Sequence, residues 1–216
     1  MTLGVDEPDA RGRTGLHLTG LGLDGNPDVR VRAVTVLSSN WYVLRTTELD
    51  YRASDGTWTT QHRETYDRGN GATVLLYDLP RRTVVLTRQF RYTAYVNGHP
   101  DGMLLEAPAG LLDDDAPESA VRRETAEETG VEIGEVEHLL DAYMSPGSVT
   151  EKLHFFAAPY AGPPTASRAG LAHEGEHIEV VELAIDDALA AIGTEIVDAK
   201  TILLLQWAVL SGPFRS

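Results

Sequence analysis

Glu124, Glu127 and Glu128 stand at positions i, i+3 and i+4 of the run Arg122-Arg123-Glu124-Thr125-Ala126-Glu127-Glu128-Thr129-Gly130. On a helix this spacing puts all three carboxylates on one face, with Cβ atoms about 5–6 Å apart. Three like charges so placed repel one another unless a cation sits among them. Hard divalent ions such as Mg²⁺ or Mn²⁺ take oxygen ligands of this kind, with water and substrate phosphate completing the shell. The plain alternative is a solvated acidic face on which Arg122 and Arg123 pair with neighbouring glutamates. The preceding segment, Glu106-Ala107-Pro108-Ala109-Gly110-Leu111-Leu112-Asp113, weighs against that alternative. A tight apolar loop running straight into the helix can bring backbone carbonyls to the same ion.

The helix that carries these groups is expected from about Ala116 to Thr129, with Gly130 as its stop. Asp115 followed three residues later by Glu118 reads as a capping box at its start. Strands are expected at 72–79 and 83–90, joined by Pro80-Arg81-Arg82, and at 103–106, 136–143, 152–158 and 177–185. Residues 159–175 form a Gly/Ala/Pro-rich loop, and helices near 186–192 and 198–210 close the chain. Ahead of this, residues 29–37, 41–52 and 58–66 alternate polar and apolar around an Asp55-Gly56 turn. Three regions follow: a loose tail at 1–28, a small β unit at 29–66 and an α/β domain at 67–216.

The chain has 216 residues, 42% of them hydrophobic and 24% charged, which is globular rather than disordered composition. Cysteine is absent, removing disulfides, thiolate metal sites and cysteine nucleophiles. No apolar run reaches the roughly 18 residues of a membrane span, and a soluble cytoplasmic protein is the expectation. The net charge of −15 repels phosphate backbones, so nucleic acid and anionic membranes are poor partners. A small phosphorylated substrate remains compatible, given local arginines or metal ions.

Gly110, Arg123-Glu124, Glu127-Glu128, Gly130 and Val131 resemble the Nudix box, the signature of hydrolases that cut a nucleoside diphosphate linked to another group. Three departures stand out. The Gly-to-Arg spacing is one residue short, Asp115 stands where Glu is expected, and Thr125 replaces an aliphatic residue. The shortened box is similar to the GDP-mannose pyrophosphatase branch, close to the ADP-ribose pyrophosphatases. The likeness extends over Glu64–Ala72, Arg88–Arg91, Val96–Gly98, Tyr143–Glu151, Glu176–Val180 and Asp198–Leu205.

The resemblance implies a Nudix fold of the α/β (α+β) class, a mixed sheet packed between helices with a small N-terminal antiparallel unit used for dimerisation. It implies a Mg²⁺-dependent enzyme, with Mn²⁺ as the alternative ion, cutting GDP-mannose to GMP and mannose 1-phosphate. ADP-ribose hydrolysis is the rival, and a non-catalytic nucleotide sensor the remoter one. Glu124, Glu128 and the Ala109 carbonyl are the implied metal ligands, with Glu127 a second-metal ligand or an orienter of water. Glu176 is a ligand or the general base, and Glu174 could exchange roles with it. Arg91 and Lys200 are implied at phosphate or sugar, with Ala109, Gly110 and Glu151 beside the substrate. Arg63 and Glu64 match residues that reach the partner subunit's substrate, His62 standing next to them, and Trp41 could stack on a base. The implied assembly is a homodimer that exchanges the 29–66 unit.

Overall fold

The computed structural model describes residues 23, 25–112, 115–164, 168–169 and 177–215. They fall into two units: residues up to Asn70 together with Tyr143–Leu153, and Gly71–Ala142 together with His154–Ser216. Glu174 and Glu176 lie outside the described residues.

The first unit is a three-stranded antiparallel sheet of β1 (Val29–Ser39), β2 (Val43–Arg52) and β3 (Trp58–Asp67), in that order. The β2–β3 turn closes through the Ala53 amide donating to the Thr57 carbonyl at 2.8 Å. Gly56 there adopts φ 86°, a conformation that favours glycine. The segment 143–153 joins this unit through the backbone: the Tyr66 amide donates to Ser148 O at 2.8 Å, and the Thr150 amide to Tyr66 O at 3.2 Å. Arg45 and Asp67 form a buried ion pair at 2.6 Å, and the Thr150 hydroxyl donates to Asp67 at 3.0 Å. Burial pushes the Asp67 carboxyl upward, while Thr150 and Arg45 pull against it. Few apolar side chains of this sheet are buried, and Leu37, Trp41, Tyr51 and Tyr66 stand exposed.

The second unit continues with β4 (Gly71–Asp78), β5 (Thr83–Phe90), α1 (Tyr92–Val96), β6 (Met103–Glu106), β7 (Ala109–Leu111) and α2 (Pro117–Thr129). The remaining elements are β8 (Glu137–Tyr143) and β9 (Lys152–Pro159), whose ends at Tyr143 and Lys152–Leu153 belong to the first unit, then β10 (Arg168–Ala169), β11 (Ile178–Ala184), α3 (Ile185–Ala190) and α4 (Ala199–Leu210). Among the described residues the sheet order is β10-β11-β5-β4-β9-β8, with β6 beside β5 and β7 beside β4. The centre of β4 is buried on both faces, which explains its unbroken run Ala72-Thr73-Val74-Leu75-Leu76. Its Ala72, Val74 and Leu76 pack with Val85, Val121, Phe156, Ala158 and Tyr160. Each large aliphatic side chain removed from water there contributes about 2 kcal/mol. Helix α2 lies against β4 and β7, and α4 against β4.

The start of α2 corrects the expected capping box. Ala116 is the N-cap residue and makes no side-chain bond, and Pro117 opens the helix. Proline at this position removes one of the amides that the first turn would otherwise leave unpaired. Asp115 accepts instead from Arg123 at 3.2 Å, and Glu118 pairs with Arg122 at 3.2 Å, one turn on. The stop is as expected, with Gly130 left-handed at φ 63°. The five-residue α1 lies in the stretch after β5, to which the sequence reading assigned no element. Among the described residues, no helix is long and apolar enough to cross a membrane.

Candidate active site

The three box carboxylates share one face of α2, but they are held differently. Glu128 is buried, and its Oε2 accepts the Ala109 amide at 3.2 Å. Glu124 lies under Gly110, where an added Cβ would overlap its carboxylate, so this approach requires glycine. Glu127 is one-third exposed. Arg123 Nη1 reaches Glu124 Oε1 at 2.8 Å and Glu127 Oε2 at 3.3 Å, so a guanidinium relieves part of the repulsion expected of the cluster. Burial of the Arg123 head opposes its charge, but Glu124, Asp115 and Glu127 outweigh that and hold its pKa above the usual value.

These residues fit a divalent cation. The donors are all oxygen, one of the carboxylates is buried with a backbone amide orienting it, and glycine leaves room for another against the β7 backbone. Such a set suits hard ions and not soft ones.

The segment ahead of the box is fixed by the first turn of α4. Asp198 caps that helix, accepting the Thr201 amide at 3.0 Å and its hydroxyl at 2.6 Å. The Thr201 hydroxyl in turn accepts the Ala107 amide at 2.7 Å. Beside it, Glu106 is buried and binds two cations: Arg91 Nε at 2.7 Å and Lys200 Nζ at 3.1 Å. Lys200 also lies 2.9 Å from Asp198, so it is not a free surface lysine. Sequence reasoning passed over Glu106, Asp198 and Thr201. The Asp-Ala-Lys-Thr spacing was a cap signal for the last two, whereas nothing local marked Glu106.

The first unit holds the remaining candidates. Arg63 and Glu64 line a groove of about 410 Å³ with Thr65, Tyr143 and the 146–150 segment. Arg63 donates to Gln61 Oε1 at 2.6 Å. His62, on the same strand, is exposed and does not line the groove. Glu151 pairs with Arg68 at 3.5 Å rather than facing the groove. Trp41 is exposed and meets Tyr42 edge-on at 6.2 Å.

Residues 67–205 match the model of the NUDIX domain. The chain belongs to the Nudix family. Nudix hydrolases use divalent cations, which agrees with the donor set on α2. Residues 28–66 match the model described as the GDP-mannose pyrophosphatase NudK N-terminal domain. A Yersinia enterocolitica protein named GDP-mannose pyrophosphatase is 53% identical over 179 residues, covering 82% of this Nudix chain and 93% of its own length. Its namesakes from Pectobacterium atrosepticum and Klebsiella pneumoniae are 52% and 50% identical, covering 83% and 82% of this chain and 93% and 89% of their own. Among solved structures, an ADP compounds hydrolase superimposes with a TM-score of 0.62 over 84% of this chain and 94% of its own. At 19% identity that likeness establishes the Nudix fold alone.

Proposed function

We propose that this Nudix hydrolase cleaves GDP-mannose to GMP and mannose 1-phosphate with Mg²⁺. The observation that carries the reading is a GDP-mannose pyrophosphatase relative 53% identical over 82% of the chain, with all three box glutamates present on one helix face here. Glu124, Glu128 and the Ala109 carbonyl would hold the ion. When bound, a divalent cation neutralises bridging phosphate oxygens and acidifies a water. Water oxygen bonds to one phosphorus, the bridging oxygen leaves with the other phosphate, and a carboxylate takes the proton. Glu176 would serve as that base or as a further ligand, with Glu174 as the neighbour that could substitute, and Glu127 would hold a second ion or orient the water. The amide of Ala109 keeps the Glu128 oxygens aimed while this happens. Arg91, whose side chain is partly exposed, presents a guanidinium suited to phosphate.

The domain reading that accompanies this is a β unit at 29–66 and a catalytic domain at 67–216. Exposed Leu37, Trp41, Tyr51 and Tyr66 on a sheet with little core of its own support a homodimer built by exchanging that unit. Arg63, Glu64 and Trp41 would then serve the partner's substrate.

Product chromatography with Mg²⁺ on GDP-mannose and ADP-ribose, with Glu128→Gln as control, tests the proposal. Preferential release of GMP, reduced at least about tenfold in Glu128→Gln, is expected. Preferential release of AMP would move the enzyme to ADP-ribose, and undiminished turnover in the variant would refute the metal assignment.

A further inference from the structure

Away from the box, the described residues hold a second cluster of metal-ligating groups: His138, Asp141 and His154. His138 Nε2 lies 2.8 Å and His154 Nδ1 2.7 Å from the same oxygen, Asp141 Oδ1. His138 and Asp141 belong to β8 and His154 to the adjacent β9. In a regular strand, residues three apart face opposite ways. The contact between His138 and Asp141 therefore requires that the alternation of β8 break between them, and the successive half-buried Leu139 and Leu140 mark the break. Strand irregularities of this kind re-aim side chains and recur beside functional sites.

The imidazoles are also held in place. The His138 ring stands edge-on to buried Phe156 at 5.1 Å, and the His154 side chain is only 14% exposed. We propose that His138, Asp141 and His154 bind one borderline divalent ion, of the Zn²⁺, Ni²⁺ or Co²⁺ class, clamping β8 to β9. Two imidazoles and one carboxylate favour such ions over Mg²⁺, which prefers oxygen, so this site is chemically separate from the α2 carboxylates. Metal–ligand bonds of about 2.0–2.1 Å set tetrahedral ligand atoms roughly 3.4 Å apart, so each imidazole–carboxylate distance opens by about 0.6 Å through side-chain rotation, while the three ligand atoms already lie within 4.8 Å of one another. Each imidazole then binds through the nitrogen that now faces Asp141 and keeps an N–H on the nitrogen turned away from the ion. Water completes the shell on the exposed side, where His138 and Asp141 face solvent.

Co²⁺ titration of protein lacking a histidine tag, in a large excess of Mg²⁺, reads this site by visible absorption and thermal shift. The expected result is one equivalent of Co²⁺ with a ligand-field spectrum and a raised Tm. His138→Ala, at a half-exposed position, and Asp141→Asn should each weaken binding at least about tenfold, while Glu128→Gln leaves it intact. His138→Gln gives a second variant at the same position with little change in bulk. The absence of a Co²⁺ spectrum would overturn the proposal. So would a spectrum lost in Glu128→Gln yet kept in His138→Ala.

Discussion

Lys200 Nζ donates to Glu106 Oε1 at 3.1 Å across 94 residues of chain. Arg91 holds the other oxygen, and Asp198 lies on the far side of the lysine at 2.9 Å. Two cations and two carboxylates thus balance, so both basic groups are positioned without a surplus of charge. Arg91 is the more exposed of the two cations, at 38% against 11%, and offers the freer face to an incoming anion. The same turn of α4 fixes Ala107 through Thr201, so the loop entering the box and the Arg91–Lys200 pair share one anchor.

Lys200→Met should therefore lower stability before it touches chemistry. It leaves the buried Glu106 with Arg91 as its cationic partner, and losing a charge-assisted bond there costs about 2 kcal/mol. Urea midpoints for the two proteins measure this. An unchanged midpoint would mean that the Lys200 contact carries no net stability.

Gly110→Ala tests the cradle at Glu124. The added methyl overlaps a flexible carboxylate end rather than backbone, so the fold should survive while the Glu124 carboxylate moves aside. Mn²⁺ affinity, followed by electron paramagnetic resonance, should fall about tenfold or more, with thermal stability nearly unchanged. Wild-type affinity in this variant would remove Glu124 from the ligand set.

The carboxylate face, its glycine stop and the flanking strands were legible because each depends on local spacing: i, i+3, i+4 on the helix, alternation in the strands, glycine at positive φ. The pairing of Glu106 with Lys200 was not, because it joins β6 to a helix near the C-terminus. The absence of a side-chain cap at Asp115 has a related cause. The residue has the right type and place, but Arg123 two turns on competes for its carboxylate. His138 and Asp141 escaped notice because regular strand alternation would have separated them. Local rules located the carboxylate face, and longer-range contacts decided how the side chains around it are oriented.

Thr125 is a box position where the family pattern expects an aliphatic residue, and the structure gives a reason to restore one. Its hydroxyl is fully buried and has no hydrogen-bond partner among the described residues. Thr125→Val replaces that oxygen with a methyl of similar size on the inward face of α2. It should stabilise the protein by about 1 kcal/mol, seen as a higher Tm with unchanged kcat. A lower Tm would show that the oxygen is satisfied in solution, by an internal water for example.

Glu182 predicts how stability follows pH. Burial would raise its pKa, but hydrogen bonds from Arg81, from Tyr160 at 2.6 Å and from Thr83 outweigh burial and hold it below the usual carboxylate range. The unfolded chain therefore binds more protons as pH falls, so this contribution is complete above the ordinary glutamate pKa and is lost through the lower folded value. Tyr160 acts at the other end. Burial, joined by its bond to Glu182, pushes the phenol up, so the unfolded chain ionises first and stability declines as pH rises past about 10. Urea midpoints across pH should show both limbs. Glu182→Gln should flatten the acid limb and weaken the alkaline one, because the phenol loses its carboxylate partner; an acid limb as steep as in the wild type would assign acid sensitivity to other carboxylates.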